Sequence, residues 1–176
     1  FYSNDPDNWG KIQSKLGKDE RRNHMVALFA AQQVKDGKQV LVVCVTIESV
    51  EAVAKIINKY PECKLRVYIG STKLKEDQAL RDDLASGKIN VVITVRKADK
   101  GLDLPSLDCL ILARPANNEA FVTQIAGRIV RPVEGKPTPI IYDLVDSSEL
   151  AVRFATNRRR WYKKLGYVIQ KDIDKN

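Results

Sequence analysis

Val40-Leu41-Val42-Val43-Cys44-Val45 is an unbroken apolar run. It is too short for an isolated helix and too uniformly apolar for a strand with one wet face, so it reads as a strand buried on both sides, as in a parallel sheet. On its N-terminal side, residues 21–34 place Met25, Leu28 and Phe29 at i, i+3 and i+4, one stripe of a helix that Gly37 closes. On its C-terminal side, residues 48–60 put Val50, Val53, Ala54 and Ile57 on one helical stripe, and residues 65–69 are again strand-like. Residues 73–85 have helical propensity, with Leu80 and Leu84 one turn apart and Gly87 as a C-cap. Further apolar runs come at 91–95, 109–113 and 140–144. Strands alternating with helices of this length predict βαβ units, hence an α/β fold with a mainly parallel sheet and helices on both faces. Residues 1–18 are polar and show no sustained period, so they read as a linker or N-terminal extension to one domain spanning 19–176.

The composition, 44% hydrophobic and 30% charged over 176 residues, suits a single globular core. No apolar run approaches the roughly 20 residues needed to span a bilayer, which predicts an intracellular, soluble protein with no membrane partner. Cys44, Cys63 and Cys109 form no CxxC pair, and two of them sit inside apolar runs, so neither a disulfide nor a metal site is expected. His24 is the only histidine and lies in a basic stretch, which disfavours Ser-His-Asp or Cys-His chemistry. The formal net charge of +8 favours a polyanionic partner. Residues 146–176 hold eight Lys or Arg against four acids, so the C-terminal stretch carries a large share of that excess.

The sharpest constellation is Gln124-Ile-Ala-Gly127-Arg128-Ile-Val-Arg131. At about 100° per residue, Gln124, Arg128 and Arg131 fall within roughly 60° on one helix face, while Glu119 falls on the opposite side. The two arginines are thus left without a local acid. A guanidinium is always charged and matches phosphate in bidentate fashion, which suits it to stabilising a transferring phosphoryl group. Gly127 would let another backbone come close. Taken alone, two arginines one turn apart read more readily as a solvated basic face.

Their context points elsewhere. The run resembles the sixth motif of superfamily-2 helicases, Gln-x-x-Gly-Arg-x-x-Arg, and it follows a strand end and Pro115 as it does there. Thr94-Val-Arg-Lys-Ala98-Asp-Lys-Gly101-Leu-Asp103-Leu-Pro105 resembles the fifth motif, and Val40 to Val45 with Thr46 the fourth. Tyr68-Ile-Gly70-Ser71 and Gln78-x-x-Arg81 resemble the segment between them. The motifs stand in the family's order, and the resemblance implies a single RecA-like domain, the second motor domain of an ATP-dependent helicase.

By that resemblance Arg128 and Arg131 would act as arginine fingers on an ATP, with Mg2+, that is held mainly by an N-terminal RecA-like domain of the same protein. Gln124 would orient that interface, and Gly101 and Asp103 would touch the nucleotide or couple it to nucleic acid. Thr46, Gly70, Ser71 and Thr94, at or near strand ends, would contact the phosphate backbone. Gln78 and Arg81 are either a bracing pair on a helix surface or part of the interface. Glutamine stands where DEAD-box RNA helicases carry histidine, which favours DNA over RNA. No Gly-x-x-x-x-Gly-Lys-Ser/Thr loop is present, so the chain alone is expected to be inactive. Two other readings share many of these residues: a stand-alone nucleic-acid-binding module, and a double-stranded DNA translocase subunit. In the closing run Arg158-Arg-Arg-Trp161-Tyr-Lys-Lys164, the arginines would grip phosphates or face water. The aromatics of this run would stack a base, or Phe154, Trp161 and Leu165 at helical spacing would form a buried stripe.

Overall fold

The computed structural model describes residues 9–69, 74–95, 104–129, 135 and 138–170, with the backbone alone at 74, 75, 128 and 129. The element order is α1 (Trp9–Lys18), α2 (Glu20–Lys35), β1 (Val40–Cys44), α3 (Ile47–Ile57), β2 (Leu65–Val67), α4 (Leu74–Ala85), β3 (Val91–Thr94), β4 (Cys109–Ala113), α5 (Glu119–Ile129), β5 (Ile140–Asp143) and α6 (Glu149–Lys164). The five strands form one sheet in the order β2-β3-β1-β4-β5, and every pairing is parallel. The expected α/β architecture is the one observed.

β1 is the central strand, paired with β3 on one side and β4 on the other. Its uniform hydrophobicity follows from two-sided burial. Val40, Val42 and Cys44 enter one core with Val26, Ala27 and Ala30 of α2 and Val50, Val53 and Ile57 of α3. Leu41 and Val43 enter a second core with Leu80 and Leu84 of α4 and Ile125 of α5. α6 covers α5 from outside, where Tyr162 meets Ala116, Val122 and Ala126. Helices thus lie on both faces. The stripes expected for α3 and α4 are the buried ones, and each fully buried aliphatic side chain contributes about 1.5–3 kcal/mol.

Two expectations are corrected. On α2 the face turned inward is Val26, Ala27, Ala30 and Ala31, whereas Met25 and Leu28 are 39% and 54% exposed. Alanines at i, i+3 and i+4 let the helix lie close on β1 and α3, so bulk is not what marks the buried side. Phe29 is partly buried and stacks on Tyr142 with centroids 5.1 Å apart. The second correction concerns the expected linker or N-terminal extension, within which residues 9–18 form not a loose linker but a helix, α1, that packs on α2 and α3. Ile12 is buried, Trp9 meets Phe154 of α6 edge-on, and Asn23 Nδ2 donates to the Gly17 carbonyl at 3.0 Å. Gly17 has a steric reason: a Cβ there would stand 2.3 Å from Thr46 Oγ1. Two apolar anchors, Trp9 and Ile12 at i and i+3, hold the short helix in place.

All three cysteines are free. Burial pushes the Cys44 and Cys109 thiols up to about 12 and that of Cys63 to about 11, so they behave as small apolar groups. Among the described residues, no helix is long and apolar enough to cross a membrane.

Candidate functional site

β1 leads through α3 toward the β2 edge, whereas its neighbour β4 leads through α5 toward the β5 edge. The two connections diverge from adjacent strands, which makes their carboxyl ends the topological switch point where α/β sheets place their ligands. Two expected site residues stand at that edge, and a third lies on the helix that follows β4. Thr46 follows β1, Thr94 ends β3, and Gln124 lies exposed on α5 beyond the end of β4.

Thr46 is already engaged. It N-caps α3 from extended backbone, with Oγ1 accepting from Ser49 N at 3.1 Å and Ser49 Oγ accepting from Thr46 N at 3.0 Å. Gly17 of α1 closes over the same hydroxyl. This capping box supplies partners for amides that the first helical turn leaves free. Little of the threonine is left open to a ligand, and its nucleic-acid role competes with a structural one. Thr94 is the opposite case. It is fully buried, and its hydroxyl has no hydrogen-bond partner among the described residues. A buried hydroxyl without a partner costs on the order of 1–3 kcal/mol.

Arg114, which follows β4 and carries no expectation from the sequence, reaches across the end of β1. Its Nη1 donates to the Val95 carbonyl at 3.4 Å and its guanidinium lies 5.3 Å from the Phe121 ring centroid. It therefore ties the ends of β3 and β4 to the first turn of α5. A cation placed directly after an apolar strand was the available signal.

α5 begins where Asn118 Oδ1 accepts from Phe121 N at 2.9 Å. Gln124 and Arg128 follow one turn apart on this helix, as the spacing predicts. Between them Gly127 is partly buried, yet a Cβ built on it would meet nothing within 4 Å. A helix-interior glycine costs about 1 kcal/mol relative to alanine, and no described neighbour in this chain requires it. Gly70, Ser71, Gly101, Asp103 and Arg131 lie outside the described residues. Gln78 donates to Asp82 Oδ1 at 2.8 Å on the exposed side of α4, in keeping with the bracing reading.

Two buried arginines, which the sequence did not single out for this role, hold the carboxyl edge together. Arg22 of α2 pairs with Asp146 at 2.7 Å and donates to the Ala113 carbonyl at 3.0 Å. On the other face Arg158 of α6, 0% exposed, forks onto Asp143 at 2.8 and 2.7 Å and donates to the Ala116 carbonyl at 2.8 Å. This removes Arg158 from the candidate phosphate grip, because all three bonds point inward. Trp161 and Leu165 pack on the Ala116–Val122–Ala126 cluster, in keeping with the buried-stripe reading, whereas Phe154 turns to Trp9 instead.

Comparison with known proteins puts these features in a family. The helicase conserved C-terminal domain family matches residues 19–133. "Probable helicase D10" of Escherichia phage T5 is 30% identical over 135 residues, covering 76% of this chain and 30% of that protein. UvrABC system protein B of Bacteroides thetaiotaomicron is 33% identical over 143 residues, covering 77% of this chain and 20% of that protein. The chain thus spans less than a third of either relative's length. Among solved structures, T4 UvsW shares the fold with a TM-score of 0.68 at 17% identity, over 89% of this chain and 35% of that one. The chain belongs to the helicase conserved C-terminal domain family, and its parallel five-stranded sheet is that of the RecA-like C-terminal domain of superfamily-2 helicases.

Proposed function

We propose that this chain is the second motor domain of an ATP-dependent helicase acting on DNA, supplying arginine fingers to a nucleotide held mainly by a preceding RecA-like domain. The observation that carries this reading is the face of α5. Gln124 is exposed there one turn before Arg128, and Gly127 beside them leaves open space that no described atom of this chain fills. Such a face suits a phosphate-bearing ligand approached from another domain, and Arg128 and Arg131 would stabilise charge on the γ-phosphoryl group in the transition state. ATP with Mg2+ supplies the phosphoryl chemistry when bound. Gly101 and Asp103 would lie along the nucleotide, and Gly70 and Ser71 would meet the nucleic-acid backbone, whereas Thr94, fully buried, is not open to that contact. For Thr46, capped and covered, a contact through its backbone fits better than one through its hydroxyl. DNA rather than RNA rests on Gln124 in place of histidine.

The test is ATP hydrolysis by the longest natural form of the protein, with and without DNA or RNA, beside this chain alone. Expected are DNA-stimulated turnover in the long form, weaker stimulation by RNA, and none in the isolated chain. DNA affinity should fall steeply between about 50 and 200 mM salt, because each neutralised phosphate releases counterions. A long form that binds DNA without hydrolysing ATP would leave the stand-alone binding module as the correct reading.

A further inference from the structure

The C-terminal basic and aromatic run does more than pack. Arg158, Asn157, Lys164 and Tyr167 all reach the segment that carries the candidate arginines. Arg158 donates to the Ala116 carbonyl at 2.8 Å and Asn157 Nδ2 to Asn117 Oδ1 at 2.9 Å, which holds the loop before α5. Lys164 pairs with Glu119 in the first turn of α5 at 3.1 Å. Tyr167 then donates its hydroxyl to the Ala126 carbonyl at 3.1 Å, next to Gly127 and Arg128. The chain reaches that point through Gly166, whose φ of +86° lets it reverse after α6, and the reversal is closed by Tyr167 N donating to Tyr162 O at 3.0 Å. The Tyr167 ring rests edge-on against Tyr162, centroids 6.1 Å apart.

These contacts differ in what they hold. Those from Asn157, Arg158 and Lys164 fix where α5 begins. Tyr167 alone among them touches the turn that bears Arg128, and Gly127 gives that turn no side chain with which to brace itself. Among these four residues, Tyr167 alone adds a directed bond to the buried packing of Ile125 and Ala126 in the turn that carries Arg128. Burial pushes the Tyr167 hydroxyl up to about 12, so it remains a donor throughout the neutral range.

We propose that Tyr167 is a positioning residue for ATP hydrolysis: its bond to the Ala126 carbonyl orients the turn of α5 that carries Arg128 and precedes Arg131 in the chain. This rests on the arginine-finger reading given above. Tyr167 makes no contact with nucleotide in this scheme and acts only through Arg128 and Arg131.

The experiment uses the longest natural form with saturating DNA. Tyr167→Phe, which keeps the ring, should lower kcat about tenfold, the scale on which small misplacements of catalytic groups act, with KM for ATP and DNA affinity unchanged. Single-turnover measurements with excess enzyme then repeat the substitution in a background carrying both Arg128→Ala and Arg131→Ala, where it should cost nothing further, because both groups being positioned are gone. An unchanged kcat in Tyr167→Phe overturns the proposal while the finger reading stands. So does the same tenfold loss in both backgrounds, which would mean that Tyr167 acts independently of the two arginines. If Arg131→Ala alone leaves hydrolysis intact, the finger reading itself fails and takes this proposal with it.

Discussion

Arg131→Ala in the longest natural form is expected to lower DNA-stimulated ATP hydrolysis about a thousandfold or more, the scale of a missing arginine finger. Charge builds on the equatorial oxygens of the transferring phosphoryl group, and a planar cation placed there stabilises the transition state more than the bound ATP. The loss should therefore appear in kcat, with KM for ATP changed much less. Arg131→Lys should recover only part of the rate, because a point charge cannot reproduce the bidentate fork. Steady-state hydrolysis at saturating ATP and DNA measures this directly. A rate within twofold of wild type would reduce Arg131 to surface charge and remove the main chemical support for the motor reading.

The second large effect is on stability. Arg158→Ala should destabilise the domain by about 3–5 kcal/mol, since removing one partner of a buried pair strands the other charge. Asp143 would lose both guanidinium bonds and the Ala116 carbonyl its donor. Urea unfolding followed by tryptophan fluorescence reads the change, because Trp161 lies on the same helix as Arg158 and packs against α5. Arg160→Ala is the control. Arg160 is exposed and, among the described residues, bonds to Asn157 one turn away, so a change of about 0.5 kcal/mol or less is expected. Replacing both buried partners, with Arg158→Met and Asp143→Leu together, should recover much of the loss. A cost below about 1 kcal/mol for Arg158→Ala would mean that water reaches Asp143 and that the pair is not the clamp described here.

Both effects involve arginines, yet only one kind was legible in the chain. Arg128 and Arg131 stand out because Gln-x-x-Gly-Arg-x-x-Arg carries its own spacing, and helical geometry puts its polar members on one face. Arg158 sits in a run of three arginines, and nothing local distinguishes the one that turns inward from its neighbours. Its partner lies fifteen residues away on β5, and the partner of Arg22 lies 124 residues away. Arg114 is similar, since its reach to Val95 depends on β3 and β4 flanking β1.

Local pattern alone determined the α/β class, the burial of 40–45 on both sides, the inward stripes of α3 and α4, and the family motifs. These depend on side-chain period and on short spacings along one element, which the chain specifies without reference to the rest of the fold. Only the tertiary structure decided which face of α2 turns inward, that residues 9–18 dock as a helix, that Gly17 closes over Thr46, and that the C-terminal run braces α5. In each case the outcome rests on shape and charge arriving from a distant element: alanines that allow close approach, a glycine that admits a hydroxyl, a carboxylate waiting on another strand. Those partners become neighbours only when the sheet assembles, so no window along the sequence contains them.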